Sequence, residues 1–204
     1  MPEIGLFPLP LVLLPTERVP LHVFEPRYRE LVSECLAEGR ELGIVLEDEQ
    51  GRRQVGTRAA LVEVLQLFPD GRMNVVVEGR ERFRLARLTQ GRSFLTAVVE
   101  RVADEAEPPP TASEIGAARR LFRQLVEVAE ADVDEPDGSS GYLSFELAAR
   151  VDFGLAAKQE LLELRSERAR LRRLAVLLEG AAAAVARARE VRERATGNGR
   201  VSAG

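Results

Sequence analysis

Across residues 103–110 the chain passes through an acidic segment that ends in three prolines, and its hydrophobic period changes there. Before this point apolar residues recur at every second position and are broken by Gly-, Pro- and Asp-containing turns. After it they recur at spacings of three and four. Strands segregated from helices in this way predict an α+β chain. The expected parts are a β-rich subdomain over residues 1–104, a helical subdomain over 105–195 and a small, polar, disordered tail over 196–204.

Within the first part, residues 4–14 and 19–24 read as strands. Glu25-Pro26 then opens a helix, because proline is preorganised at the first helical position and its missing N–H is not needed there. Tyr28, Leu31, Val32, Cys35 and Leu36 form one apolar stripe, and Gly39 stops the helix. Residues 42–46 and 59–68 read as strands, the latter apolar on both parities. Pro69-Asp70-Gly71 marks a hairpin turn and Glu78-Gly79-Arg80-Glu81 a second turn. Residues 82–88 alternate charge and apolar, and residues 94–102 close a meander. Strands joined by short turns favour a small barrel or rolled sheet. In the second part, helices are expected from Ser113, over 142–151 and over 155–164, with a polar, unordered loop at 130–140. A long last helix opens at Ser166-Glu167-Arg168. Its seam of Leu171, Leu174, Leu178, Ala181, Val185 and Ala188 is too short for a strong zipper and fits packing on the chain's own helices.

Charge and residue usage exclude several classes of chemistry. Residues 104–149 carry 3 Arg against 11 acids, whereas residues 150–195 carry 11 basic against 7 acidic groups. The two stretches can complement one another inside one fold; the sharper alternative is a basic surface for an acidic partner. A single cysteine, Cys35, rules out a disulfide framework, and with one histidine, His22, no Cys/His metal centre is expected. The only lysine, Lys158, lies between Ala157 and Gln159, so there is no phosphate-binding loop and no plausible Ser–Lys dyad. No dinucleotide-binding glycine pattern follows a strand. No apolar run approaches the roughly 18 residues of a membrane span, and the N-terminus has no secretory pattern. The expectation is a cytoplasmic, non-enzymatic protein with no cofactor, no metal and no membrane contact.

The segments Leu6-Phe7-Pro8-Leu9, Pro20-Leu21-His22-Val23-Phe24-Glu25-Pro26-Arg27-Tyr28, Val55-Gly56-Thr57, Val77-Glu78-Gly79-Arg80 and Lys158-Gln159-Glu160-Leu161-Leu162-Glu163 together resemble the N-terminal substrate-binding domain of the Lon proteases, in its free-standing bacterial form. The resemblance covers residues 4–180. It implies a PUA-like β pseudo-barrel followed by a helical bundle, and a role in holding polypeptides. It brings no catalytic residues, since the ATPase and peptidase modules of a full protease have no counterpart in this sequence. The motif residues Pro8, Glu25, Pro26, Arg27, Tyr28, Gly56 and Gly79 are expected to build the fold. Gly56 and Gly79 would supply turn conformations, and Glu25 with Arg27 would clamp the strand–helix junction.

The leading functional expectation is therefore a module that binds unfolded or hydrophobic polypeptides or a protein partner. Phe7, Phe24, Phe68 and Phe94 are the candidate contact residues. The alternative is an RNA-binding barrel that uses Arg80, Arg82, Arg84 and Arg87; nucleic acid is the less favoured partner because residues 1–103 carry a net charge of −1.

Overall fold

The computed structural model describes residues 3–198 and has the expected α+β organisation, with strands first and helices after. The strands are β1 (Glu3–Leu9), β2 (Arg18–Val23), β3 (Leu42–Asp48), β4 (Gly51–Arg52), β5 (Val55–Leu67), β6 (Met73–Thr89) and β7 (Thr96–Arg101). The helices are α1 (Pro26–Glu38), α2 (Ala112–Ala129), α3 (Leu143–Ala148), α4 (Gly154–Glu163) and α5 (Glu167–Asn198). Antiparallel pairings run β1-β7-β6-β5-β3, and a parallel pairing of β1 with β3 closes the ring. A closed sheet of this kind leaves fewer free edges than an open one. Pro8, which cannot donate to a ladder, lies in the half of β1 that pairs only with β3; β7 accompanies β1 only over Glu3, Ile4 and Gly5.

Helix α1 forms as its sequence dictates. Pro26 occupies the first turn, Gly39 takes the left-handed conformation (φ 61°), and its N–H donates to the Cys35 carbonyl. Tyr28, Leu31, Val32 and Cys35 are buried with Val75, Val77 and Ala59 of the barrel. Leu36 is the exception on the expected stripe and stays exposed.

The second expected turn does not exist. β6 runs unbroken through Glu78-Gly79-Arg80-Glu81, and neither Gly56 nor Gly79 has a positive φ. Both glycines are needed for close approach of backbone instead. A Cβ at Gly79 would lie 2.1 Å from the Leu14 carbonyl oxygen, and one at Gly56 would lie 2.4 Å from that of Ile44. The first half of β6 is sandwiched between β2 and β5, and its second half between β5 and β7.

In the helical part, Thr111 and Glu114 form a reciprocal capping box that starts α2 at Ala112. The Ser166 hydroxyl accepts from the Ala169 N–H and caps α5. The expected loop at 130–140 is held in place: Arg119 donates to the Pro136 and Asp137 carbonyls, and Glu146 accepts from the Gly138 and Ser140 N–H groups. Leu171, Leu174 and Leu178 of the α5 seam are buried with Phe122 and Leu125 of α2, whereas Ala188 is exposed. α5 continues through residues 196–198, which were expected to lie in the tail; residues 199–204 lie outside the described residues. The main cluster of the helical part also contains Val12, Leu14, Leu46 and Val55 from the barrel, so the two parts share one core.

Candidate functional site

β2, the first half of β6 and the second half of β5 make a three-stranded extension of the barrel. Its middle strand is alternately buried, but β5 is exposed at every position from Val62 to Leu67. Four of those positions are apolar: Val62, Val64, Leu65 and Leu67, the last 68% exposed. Two register shifts opposite β6 leave Val62 and Leu65 unpaired as bulge residues. Val64 pairs with buried Val75 and Leu67 with buried Met73, so both lie on the core-facing side of the sheet, beyond the cover of α1.

The opposite side of the same extension carries an aromatic cluster. His22 is flanked by Phe24 (ring centroids 5.8 Å apart) and Phe68 (6.1 Å). Its Nδ1 is hydrogen-bonded to Asn74 Oδ1 at 2.6 Å, which fixes the ring, and the Arg72 guanidinium lies 5.2 Å from the Phe68 centroid. Asp70 at the hairpin tip accepts from the Arg72 backbone N–H, which holds its carboxyl below the usual aspartate range. Phe24 is 58% exposed and Phe68 half-buried. Phe7 and Phe94, by contrast, are core residues: Phe7 packs on Tyr28 (4.3 Å between centroids), and neither can touch a partner without opening the barrel.

The remaining motif residues lie at the start of α1 and along the barrel strands. Glu25 and Arg27 form a 2.8 Å ion pair on the surface, with the Arg27 guanidinium 4.5 Å from the Tyr28 ring. Pro26 is exposed at the start of α1, and Tyr28, Pro8, Gly56 and Gly79 are buried. Burial pushes the Cys35 thiol up, away from the thiolate form that nucleophilic chemistry needs. Among the described residues no His, Cys, Asp and Glu side chains gather into a group that could hold a metal ion, and no helix is long and apolar enough to cross a membrane.

The arginines of the RNA-binding alternative do not act as one group: Arg84 and Arg87 are exposed, whereas Arg82 and Arg80 are engaged within the fold. Arg82 is buried and serves the joint between the two parts of the chain: its Nη1 donates to the Leu162 and Leu164 carbonyls (2.8 and 2.6 Å), and its Nη2 bonds Asp104. Arg170, also buried, donates to both Asp104 oxygens at 2.7 and 2.5 Å and to Glu167. The Phe145 ring lies under both guanidinium groups, at 5.5 and 4.4 Å. Burial pushes the Asp104 carboxyl up, but its bonds to Arg170 and Arg82 outweigh that, and it titrates below the usual range. Arg80 is paired with Glu78 at 2.7 Å. Lys158, far from any phosphate loop, bonds Glu17 of the barrel at 2.6 Å.

Sequence reasoning missed both the β5 strip and the Asp104 node. The strip did leave a signal: residues 59–68 are apolar on both parities, which a strand with only one covered face does not need. The node left none, because its members are 66 and 22 positions from Asp104 in the chain.

Comparison with known proteins agrees with this geometry. A family model for the ATP-dependent protease La (LON) substrate-binding domain matches residues 3–180. Lon protease 2 of Syntrophobacter fumaroxidans is 26% identical over 175 residues, covering 79% of this chain and 22% of the relative. Lon protease of Anaeromyxobacter dehalogenans is 28% identical over 183 residues, covering 82% and 22%. This chain thus spans about a fifth of the length of the curated relatives it matches. Among solved structures, the Lon N-terminal domain protein of Xanthomonas campestris superposes with a TM-score of 0.67 at 24% identity, over 85% of this chain and 97% of that one. The N-terminal domain of Mycobacterium avium complex Lon protease gives 0.66 at 21% identity, over 87% and 98%. With the family model matched over 3–180 and the same fold in these neighbours, the chain belongs to the LON substrate-binding domain family.

Proposed function

We propose that this chain is a non-enzymatic, cytoplasmic module that holds unfolded or hydrophobic polypeptides on the apolar strip of β5 and the neighbouring Phe24–Phe68 cluster. In this reading the helical part (105–195) braces the barrel part (1–104), and neither contributes catalysis. The observation that carries it is the run from Val62 to Leu67, exposed at every position and apolar at four of six. An exposed apolar run of this kind on a soluble domain is characteristic of an interaction surface. Phe24 and Phe68 enter as the two expected phenylalanines that remain accessible; Phe7 and Phe94 do not enter.

The affinity follows from the same numbers. Burying the exposed fractions of five side chains, Phe24 and the four apolar residues of β5, yields a gross gain of about 5 kcal/mol. That gross gain alone corresponds to about 0.2 mM, and the freedom the guest chain loses on docking weakens the dissociation constant into the millimolar range or beyond. The test is a titration with a permanently unfolded, carboxymethylated protein and, separately, with single-stranded RNA, each at low and moderate salt. Binding to the unfolded protein that survives salt and falls in Phe24→Ser and Leu67→Ser variants of unchanged melting temperature is the expected result. Salt-sensitive RNA binding without polypeptide binding would overturn the reading, because phosphate contacts, unlike apolar burial, weaken steeply with salt.

A further inference from the structure

We infer that β5 receives its guest as an added β-strand, through main-chain hydrogen bonds along its free edge, and that the guest is an extended apolar segment carrying a lysine or arginine. This rests on the polypeptide-binding reading and specifies how binding occurs. β3 pairs with β5 only at Thr57, Arg58 and Ala59. Beyond Ala60, β5 is paired with β6 alone, and its other edge has no strand beside it among the described residues. The Phe68 N–H donates inward to the Arg72 carbonyl at 2.8 Å. By the alternation of an antiparallel ladder, the N–H and C=O of Leu67 therefore point outward. An unpaired row of backbone donors and acceptors is a template for another strand.

The other edge of the same extension is protected more fully than this one. β2 carries Pro20 together with Arg18 and His22, the usual means of blunting an edge. β5 from Val62 to Leu67 has no proline and no lysine or arginine, and its side chains Val64 and Leu67 stay 46% and 68% exposed. The two bulges at Val62 and Leu65 twist the strand, so it would take a short guest rather than a long, flat one.

Charge selects the occupant. Glu63, in the middle of the edge, makes no ion pair among the described residues. At the mouth of the adjoining groove, the last turn of α1 carries no basic residue, and Arg40 and Arg80 are already paired with Glu38 and Glu78. From Val62 to Leu67 the only charge on the edge is negative, and Arg29, which reaches the hairpin tip from α1, is bonded to the Asp70 carbonyl. A second copy of this chain pairing edge to edge brings a second Glu63 carboxylate to the interface and no cation to meet either, so like-charge repulsion disfavours self-association. A guest residue with a cationic side chain removes that repulsion.

The test uses the whole chain and a fluorescein-labelled octapeptide of alternating valine and threonine with one central lysine. Two derivatives carry N-methyl groups on alternate amides, one set on each parity, so their side chains are the same and only the available edge differs. One derivative should lose affinity by at least about tenfold while the other stays within about twofold of the parent, since only one edge of the guest can pair. Equal affinities for both would overturn strand addition and leave the polypeptide-binding reading standing; no binding of the parent peptide would overturn both. Replacing the peptide's lysine by glutamate should weaken binding, and Glu63→Lys should restore it. No effect of that swap would refute the charge assignment. Self-association of the chain that Leu67→Ser abolishes, with no binding of the parent peptide, would show the edge to be occupied by a second copy and overturn the proposed occupant.

Discussion

Replacing Gly79 by alanine tests whether this glycine serves a turn or a crossing of two chain segments. The added Cβ would lie 2.1 Å from the Leu14 carbonyl oxygen and 2.9 Å from its carbon, and neither is the end of a flexible side chain. The Leu14 segment cannot move aside freely. Thr16 N–H donates to the Gly79 carbonyl at 2.8 Å, Gly79 N–H to the Glu17 carbonyl at 2.9 Å, and Leu14 N–H to the Glu17 carboxylate at 2.9 Å. Overpacking costs about 1–3 kcal/mol, and displacing the segment forfeits both backbone bonds at about 1 kcal/mol each, for a total of about 3–5 kcal/mol. That is a large part of the roughly 5–15 kcal/mol of a typical domain and corresponds to a fall in Tm of about 6–20 °C for a chain of this size. Thermal and urea unfolding followed by circular dichroism measure it. A Gly79→Ala variant within about 1 kcal/mol of the parent would refute the crossing argument. So would a Gly79→Asn variant more stable than Gly79→Ala, since asparagine suits a left-handed turn but is larger at a crossing.

Gly116, inside α2, has nothing within 4 Å of a prospective Cβ, so Gly116→Ala should raise stability by about 0.5–1 kcal/mol; a lower urea midpoint would contradict this. Bonds from the Thr111 backbone N–H, and then from Arg168, hold the Glu114 carboxyl at about 2, well below the usual glutamate range. Its contribution is therefore complete above pH 4.5 and lost as pH falls toward 2, so the stability gap between parent and Glu114→Gln should close over that window; a gap constant with pH would refute it. Asp104→Asn leaves the buried Arg82 without a counter-charge and Arg170 with Glu167 alone, and should cost about 3 kcal/mol, whereas a change below about 1 kcal/mol in urea unfolding would show that the node is not structural.

Local chemistry explains what was legible in the sequence. Pro26 and Gly39 delimit α1 through dihedral preferences that need no partner, and Pro69-Asp70-Gly71 specifies its hairpin in the same way. Gly79 misled because a glycine in a polar tetrapeptide looks like a turn; what requires it is Leu14, 65 positions away, passing over β6. Residues 103–110 misled by composition. An acidic, proline-rich stretch reads as a linker, yet Asp104 is clamped by two buried arginines, and the Glu105 N–H donates to the Arg165 carbonyl at 2.8 Å. Of the candidate phenylalanines, Phe24 shares the exposed parity of Arg18, Pro20 and His22, whereas alternation could not place Phe7, because β1 is buried on both parities from Leu6 to Pro8.

The length of β6 links these observations. Its first half supports the exposed edge of β5; Gly79 lies in the middle, where the Leu14 segment crosses; and Arg82, three residues later, bonds α4, the segment after it and Asp104. A turn at 78–81 would have made the exposed hairpin a separate flap. An unbroken strand makes it a continuation of the element that anchors the barrel to the helices. The shared cluster of Val12, Leu14, Leu46 and Val55 with α2 to α5 leaves no apolar face on which the two parts could separate without exposing core. A guest strand added to β5 therefore meets a surface already ordered by the rest of the fold. The entropy lost on binding is the guest's own, which is the condition under which a small edge can hold an extended chain at all.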